Sequence, residues 1–124
     1  MSARTTTVGE CGLNIVVLVG EVTSPPVSRD LSDGSVVSTF DIATRSDVGR
    51  VSVPVSVVGD GTVAEVGTPV LVVGHVRRRF FRAGSGVNSR TEVVASVATP
   101  LRRKAQVRRA VESAVGELTA FTGA

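Results

Sequence analysis

The sequence predicts an all-β fold, a small closed barrel of five strands, followed by one amphipathic helix. Of the 124 residues, 42% are hydrophobic and only 3% aromatic, so the core must be mainly aliphatic and rich in the β-branched residues that favour strands. Clusters of Gly, Pro, Asp and Ser separate the valine-rich runs and are typical of turns. Apolar residues at helical spacing after residue 100 predict the helix. A single domain of this length can bury a core without disulfides.

The first two strands are predicted on either side of a proline-containing loop. Residues 1–11 read as a flexible arm, and residues 13–22 form a strand with apolar side chains on both faces. Gly20 interrupts that strand where a bulge or sharp bend would fall, as a strand coiling into a barrel requires. Residues 36–44 form the second strand, with Phe40 in the core.

The third strand is predicted over residues 51–58, where valine alternates with Ser52, Pro54 and Ser56. A proline inside a strand indicates an edge or a bulge. The connection that follows matches G-x-G-x-x-A, but only residues 62–66 could be helical, which is too short for a dinucleotide-binding unit.

A long β-hairpin is predicted over residues 70–98, with its turn at residues 83–88. Its first strand is aliphatic up to Val76, which is typical of a strand buried on both faces. The sequence then becomes a run of arginine and phenylalanine over residues 77–82, which indicates that the strand leaves the core and enters solvent.

Side chains alternate between the two faces of a strand, so Arg77, Arg79 and Phe81 share one face of this hairpin. Arginine beside an aromatic ring suits a single-stranded nucleic acid, because the cation neutralises phosphate and the ring stacks on a base. Two other interpretations stay open: arginine protects an exposed strand edge, and paired phenylalanines belong to a core.

Residues for catalysis or metal binding are few. His75 is the single histidine, and its position among apolar strand residues favours a packed or interfacial imidazole. Cys11 is the single cysteine, so no disulfide can form within the chain, which indicates a reducing cytoplasm. We expect its side chain to act as a small hydrophobic residue. We therefore expect a cytoplasmic binding protein rather than an enzyme, with no cofactor, metal, membrane span or small-molecule substrate.

The net charge of +3 is concentrated at one end of the chain. Residues 1–100 hold nine Arg against nine Asp and Glu, whereas residues 101–124 hold five basic and two acidic residues. A helix is predicted over residues 101–121, and it would either dock on a barrel or contact nucleic acid or an acidic partner. The apolar stripe predicted to dock it consists of Val107, Val111, Ala114, Val115 and Leu118.

Five strands with a bend in the first and a long final hairpin fit a barrel of the OB-fold type. The order of several short motifs also resembles the bacterial single-stranded DNA-binding protein family over about residues 12–98. These motifs lie at residues 14–22, 27–29, 34–44, 55–59, 66–77 and 89–95.

This resemblance implies an OB-fold subunit at residues 12–99 that forms a homotetramer or dimer, with residues 15–19 pairing across the interface. It also implies binding of single-stranded DNA without sequence preference, in replication, repair or recombination. Phe81 matches a stacking aromatic of the family. The predicted nucleic-acid-binding residues are Phe81, Arg77, Arg79, Arg82, Arg45 and Arg90.

The chain also departs from the family pattern. Three positions where the family has aromatic residues lack them here: Ser52, Val58 and the neighbourhood of Val48. Residues 100–124 are predicted to form a basic helix instead of a tail with an acidic tip. The departures imply weaker, more salt-dependent DNA binding. Two alternatives follow: an accessory OB-fold subunit resembling primosomal replication protein N, which acts mainly on proteins, and an oligomeric structural domain that has lost DNA binding.

Overall fold

Six strands and one helix follow one another in the computed structural model, which describes residues 12–59 and 65–123. In chain order they are β1 (Val16–Val22), β2 (Val27–Asp30), β3 (Val36–Ser46), β4 (Gly49–Val58), β5 (Pro69–Ala83), β6 (Gly86–Pro100) and α1 (Lys104–Thr122). The predicted arm at residues 1–11, Cys11, and most of the short helix considered at residues 62–66 lie outside the described residues.

Five of these strands close into a barrel in the order β1-β5-β6-β4-β3, and β3 pairs back with β1. The closing contact is short, with Glu21 opposite Ala43 and Val22 opposite Ile42. Every pairing in the barrel is antiparallel except that of β4 with β6. This is the strand order of an OB-fold, so the predicted fold class is confirmed.

One strand was not predicted. β2 lies outside the barrel, pairs only with β3 among the described strands, and exposes all four of its residues. Its sequence, Val-Ser-Arg-Asp, has a single apolar residue and so offers no hydrophobic alternation. Backbone pairing with β3 forms this strand, helped by a contact of 3.2 Å between the hydroxyls of Ser28 and Ser38.

The barrel interior is aliphatic, apart from Phe40, which is buried as predicted. At Gly20, where a bulge or bend was predicted, β1 comes close to β3: a Cβ atom there would lie 2.5 Å from the carbonyl oxygen of Ala43, so only glycine allows this approach. The buried core residues are Val22, Phe40, Ile42, Val55, Val70, Val72, Val93 and Ala95.

α1 packs on the outside of the barrel, against Leu71 and Val73 of β5. It begins at Lys104, three residues later than predicted, because Leu101 and Arg102 form a turn. The predicted docking stripe is confirmed at Ala114, which is buried, and at Val107, which packs on the same cluster, but Ala110, the other buried residue, was not predicted. Small side chains let the helix axis approach the sheet, and the larger apolar residues at positions 111, 115 and 118 are left exposed.

Candidate nucleic-acid interface

β5 and β6 extend beyond the barrel as a two-stranded arm, which we define as residues 75–92. β1 pairs with β5 only as far as Gly74, and β4 pairs with β6 only from Val93 to Ala95. Within the described chain, the arm therefore has no other strand beside it. Its turn is Gly84-Ser85, shorter than the predicted turn, because β6 already begins at Gly86. Gly84 supplies the positive φ of +63° that this turn requires.

A β-bulge separates the arm from the barrel. Val73 pairs with Val97, but Gly74 pairs with Ala95, which leaves Ser96 as an extra residue whose hydroxyl donates to the carbonyl of Val73 at 3.1 Å. Such a bulge bends a strand and increases its twist. The continuous burial of β5 ends here, at Val73.

One prediction fails at this bulge. Val76 was expected to be buried, but it is exposed, because the barrel strands on either side of the hairpin have already ended. His75 is exposed too, so the packed imidazole is wrong, and the interfacial one stays a prediction.

The arm has two faces, which the cross-strand pairs define. On the Glu92 face, Arg77, Arg79 and Phe81 lie opposite Glu92, Arg90 and Asn88, respectively. On the Phe80 face, Arg78, Phe80 and Arg82 lie opposite Thr91, Ser89 and Val87. The predicted alternation along β5 places Arg77, Arg79 and Phe81 together, whereas Arg82 belongs to the other face.

Carboxylates already hold the arginines of the Glu92 face. Glu92 is only 4% exposed and accepts a hydrogen bond of 2.5 Å from Arg77 Nη2, while Arg79 Nε lies 4.0 Å from the same oxygen. Arg90 Nη2 lies 3.7 Å from Asp41 on β3. This last contact shows that the Glu92 face is turned toward the barrel.

Arg79 also covers part of the predicted stacking residue. Its guanidinium carbon lies 5.9 Å from the centre of the Phe81 ring, at the outer limit of a cation–π contact. The Arg79 Nε atom is buried and has no hydrogen-bond partner within the described residues. A buried donor without a partner costs about 1–3 kcal/mol, so this side chain has unused hydrogen-bonding capacity.

The Phe80 face is more accessible. Phe80 is 64% exposed against 41% for Phe81, and its neighbours Arg78 and Arg82 form no ion pair with any described residue. The alternation along β5 and the family resemblance both pointed to Phe81, and Phe80 and Arg78 were not predicted. The same alternation places the second of two consecutive phenylalanines on the opposite face, beside Arg78, and this was the signal for them.

Arg45 lies apart from the arm, near the turn between β3 and β4. It stands directly opposite Arg50, another residue that was not predicted. Like charges opposite each other are destabilising, and a bound anion would relieve that repulsion. On β4 the residues that alternate with the core valines are Ser52, Pro54 and Ser56, of which Ser56 is buried, so the surface beside Arg45 and Arg50 has charge but no aromatic ring.

The predicted residues thus form three groups: Arg77, Arg79, Phe81 and Arg90 on one face of the arm, Arg82 on the other, and Arg45 on the β3–β4 hairpin. A scan against protein-family models matches no family, and a search of curated proteins finds no match. The described residues contain no helix that is long and apolar enough to cross a membrane. They also contain no group of three or more His, Cys, Asp or Glu side chains that could hold a metal ion.

Proposed function

We propose that this protein binds single-stranded DNA without sequence preference, in replication, repair or recombination. The observation that carries the proposal is the arm, which projects from an OB-fold barrel and exposes one phenylalanine on each face beside arginines. A stacked base contributes about 1–3 kcal/mol, and any base offers a ring to stack on, so this chemistry needs no particular sequence.

Arginine supplies the second part of the proposed interaction. Each phosphate neutralised by a cation releases condensed counterions, which makes binding fall as salt rises. Arg78 and Arg82 are available on the Phe80 face, and Arg45 and Arg50 offer a further anion site at the β3–β4 turn. Because β4 runs parallel to β6, the β3–β4 turn and the arm extend from the barrel in the same direction, and bound DNA would meet cations on both hairpins.

The same surface supports only moderate affinity. β4 lacks outward aromatic residues, and Glu92 and Asp41 compete with phosphate for three arginines. We expect binding to depend more on salt than it does in a protein with a full set of stacking rings. The proposal includes the cytoplasm as the location and a homotetramer or dimer as the assembly.

The test is fluorescence anisotropy of a labelled oligo-dT at low and moderate salt, with the wild type, Phe81→Ala and Phe121→Ala. Phe121 is a matched control, since it is an exposed phenylalanine on α1. We expect binding that weakens with salt and with loss of Phe81, but not with loss of Phe121. Tight binding that is insensitive to salt would contradict the proposed mechanism.

The ion pairs favour a second candidate. An arm in which three of the arginines, Arg77, Arg79 and Arg90, already lie beside carboxylates suits an accessory OB-fold subunit resembling primosomal replication protein N, which acts mainly on other proteins. An oligomeric structural domain is the remaining alternative. Absence of binding to oligo-dT even at low salt would replace the DNA proposal with one of these two.

A further inference from the structure

A groove lies between α1 and β6 and begins at the base of the arm. Its polar lining consists of Ser96 and Thr99 on β6, and of Gln106, Arg109 and Ser113 on α1. Ser96 is the extra residue of the bulge, so this end of the groove lies where the arm joins the barrel. The other end lies at Thr99, just before the turn that leads into α1. We call this feature the α1–β6 groove.

The α1–β6 groove opens on the same side of the molecule as the Glu92 face of the arm. α1 packs on Leu71 and Val73 of β5. Side chains alternate along a strand, so these two residues share a side of β5 with Arg77 and Arg79. A polymer that follows the Glu92 face toward the barrel consequently reaches the groove.

The groove offers hydrogen-bond donors and a positive charge. The hydroxyl of Thr99, which is only 3% exposed, donates to the side-chain oxygen of Gln106 at 2.8 Å. This bond leaves the two amide protons of Gln106 for another acceptor. Arg109 adds the N–H donors of its guanidinium and forms no ion pair with any described residue. The arrangement suits an anion.

The start of α1 adds further positive charge beside the groove. Residues 102–109 hold five basic residues and no acidic one, and none of the five forms an ion pair with a described residue. The first turn of α1 has no acidic side chain, and Arg103 provides no side-chain cap. Because a helix N-terminus already carries partial positive charge, the potential at this end of the groove is strongly positive.

We propose that single-stranded DNA that follows the Glu92 face toward the barrel continues along the α1–β6 groove, where Arg109 and the amide of Gln106 hold its phosphates. This inference rests on the proposed function and adds a second contact to it. No aromatic residue lines the groove, so the contact is to the sugar–phosphate backbone and needs no particular sequence. A guanidinium can form two parallel hydrogen bonds with one phosphate, so the contact depends on the position of Arg109 and not only on its charge.

The first test compares Arg109→Gln with Arg108→Gln in the full chain. Both residues are exposed and both variants remove one positive charge from the same turn, but Arg108 points about 100° away and does not line the groove. Anisotropy titrations use an oligo-dT of about 20 nucleotides, longer than the roughly 4–16 nucleotides that one OB-fold covers. We expect Arg109→Gln to weaken binding about threefold and to reduce the slope of log affinity against log salt by about 0.7, as loss of one phosphate contact requires. We expect Arg108→Gln to leave both quantities near the wild type.

Cross-linking to the DNA tests the path directly. In a Cys11→Ser background, Ser113→Cys places a thiol in the groove, whereas Thr119→Cys places one on an exposed part of α1 about 120° away. We expect an oligo-dT with a thiol tether at one end to form a disulfide with Ser113→Cys much faster than with Thr119→Cys.

The outcomes separate this inference from the proposed function. Absence of oligo-dT binding by the wild type would overturn both. Wild-type binding with equal effects of Arg108→Gln and Arg109→Gln, or with equal rates of cross-linking at positions 113 and 119, would overturn the path along the groove and leave the proposed role of the arm intact. In that case an acidic protein segment becomes the occupant to test.

Discussion

The two halves of β5 differ in the burial of their side chains, although both are strands with the same backbone pairing. Residues 70–73 are buried on both faces, toward the barrel core on one side and toward α1 on the other. Past Gly74, every residue of the strand is exposed except Arg79, which is partly buried. Both halves keep their antiparallel pairing with β6.

The buried half of β5 therefore contributes to the stability of the fold, and the exposed half offers side chains for binding. The base of β5 connects both apolar clusters, so substitutions there act on folding. Apart from Glu92 and Arg79, the charged and aromatic side chains of the arm are exposed, so they contribute little to folding and remain available to a ligand. A binding surface built on such an extension can change without loss of the fold.

The largest effect is expected at Gly74, where the two halves meet. A Cβ atom there would lie 2.0 Å from the carbonyl oxygen of Val94 and 2.8 Å from the Cα of Ala95, so Gly74→Ala must displace backbone. We expect a loss of about 2–3 kcal/mol and a fall in Tm of about 10 °C by circular dichroism. Gly86→Ala is the matched control, since a Cβ at Gly86 meets nothing within 4 Å. Equal Tm values for the two variants would remove the distinction between base and arm.

Substitutions of the two phenylalanines of the arm should affect DNA binding and spare stability. We expect Phe80→Ala to weaken binding to oligo-dT about tenfold and Phe81→Ala to weaken it less, because Phe80 is more exposed and Arg79 covers part of Phe81. Anisotropy titrations measure the affinities, and thermal melts should show Tm values close to the wild type for both. A larger loss with Phe81→Ala would identify the Glu92 face as the binding face.

The smallest effect is expected at Glu92. Glu92→Gln removes the carboxylate that holds Arg77 and Arg79, so both cations become available to phosphate. We expect roughly threefold tighter binding to oligo-dT and a steeper dependence on salt, with a small loss of stability. Asp41→Asn, which frees only Arg90 from a more exposed pair, should have less effect. Weaker binding by Glu92→Gln would show that the carboxylate positions these arginines instead of competing for them.

The barrel, the position of the long hairpin and the grouping of Arg77, Arg79 and Phe81 could all be predicted from the sequence alone. These follow from rules of short range: β-branched residues favour strands, side chains alternate with a period of two, and Gly and Asp mark turns. At Gly20 the sequence predicted a bulge or a bend, and the structure shows the close approach to Ala43 that glycine allows.

Which of these side chains are exposed and unpaired depends on the tertiary structure. The pairing of β5 with β6 brought Glu92 beside Arg77 across 15 positions of sequence, and the barrel brought Asp41 to Arg90. α1 buries Ala110 and Ala114 against the barrel and leaves Val111 and Val115 exposed. Periodicity identifies the faces of an element, but burial and charge pairing depend on neighbours that are distant in the chain, and no local pattern encodes them.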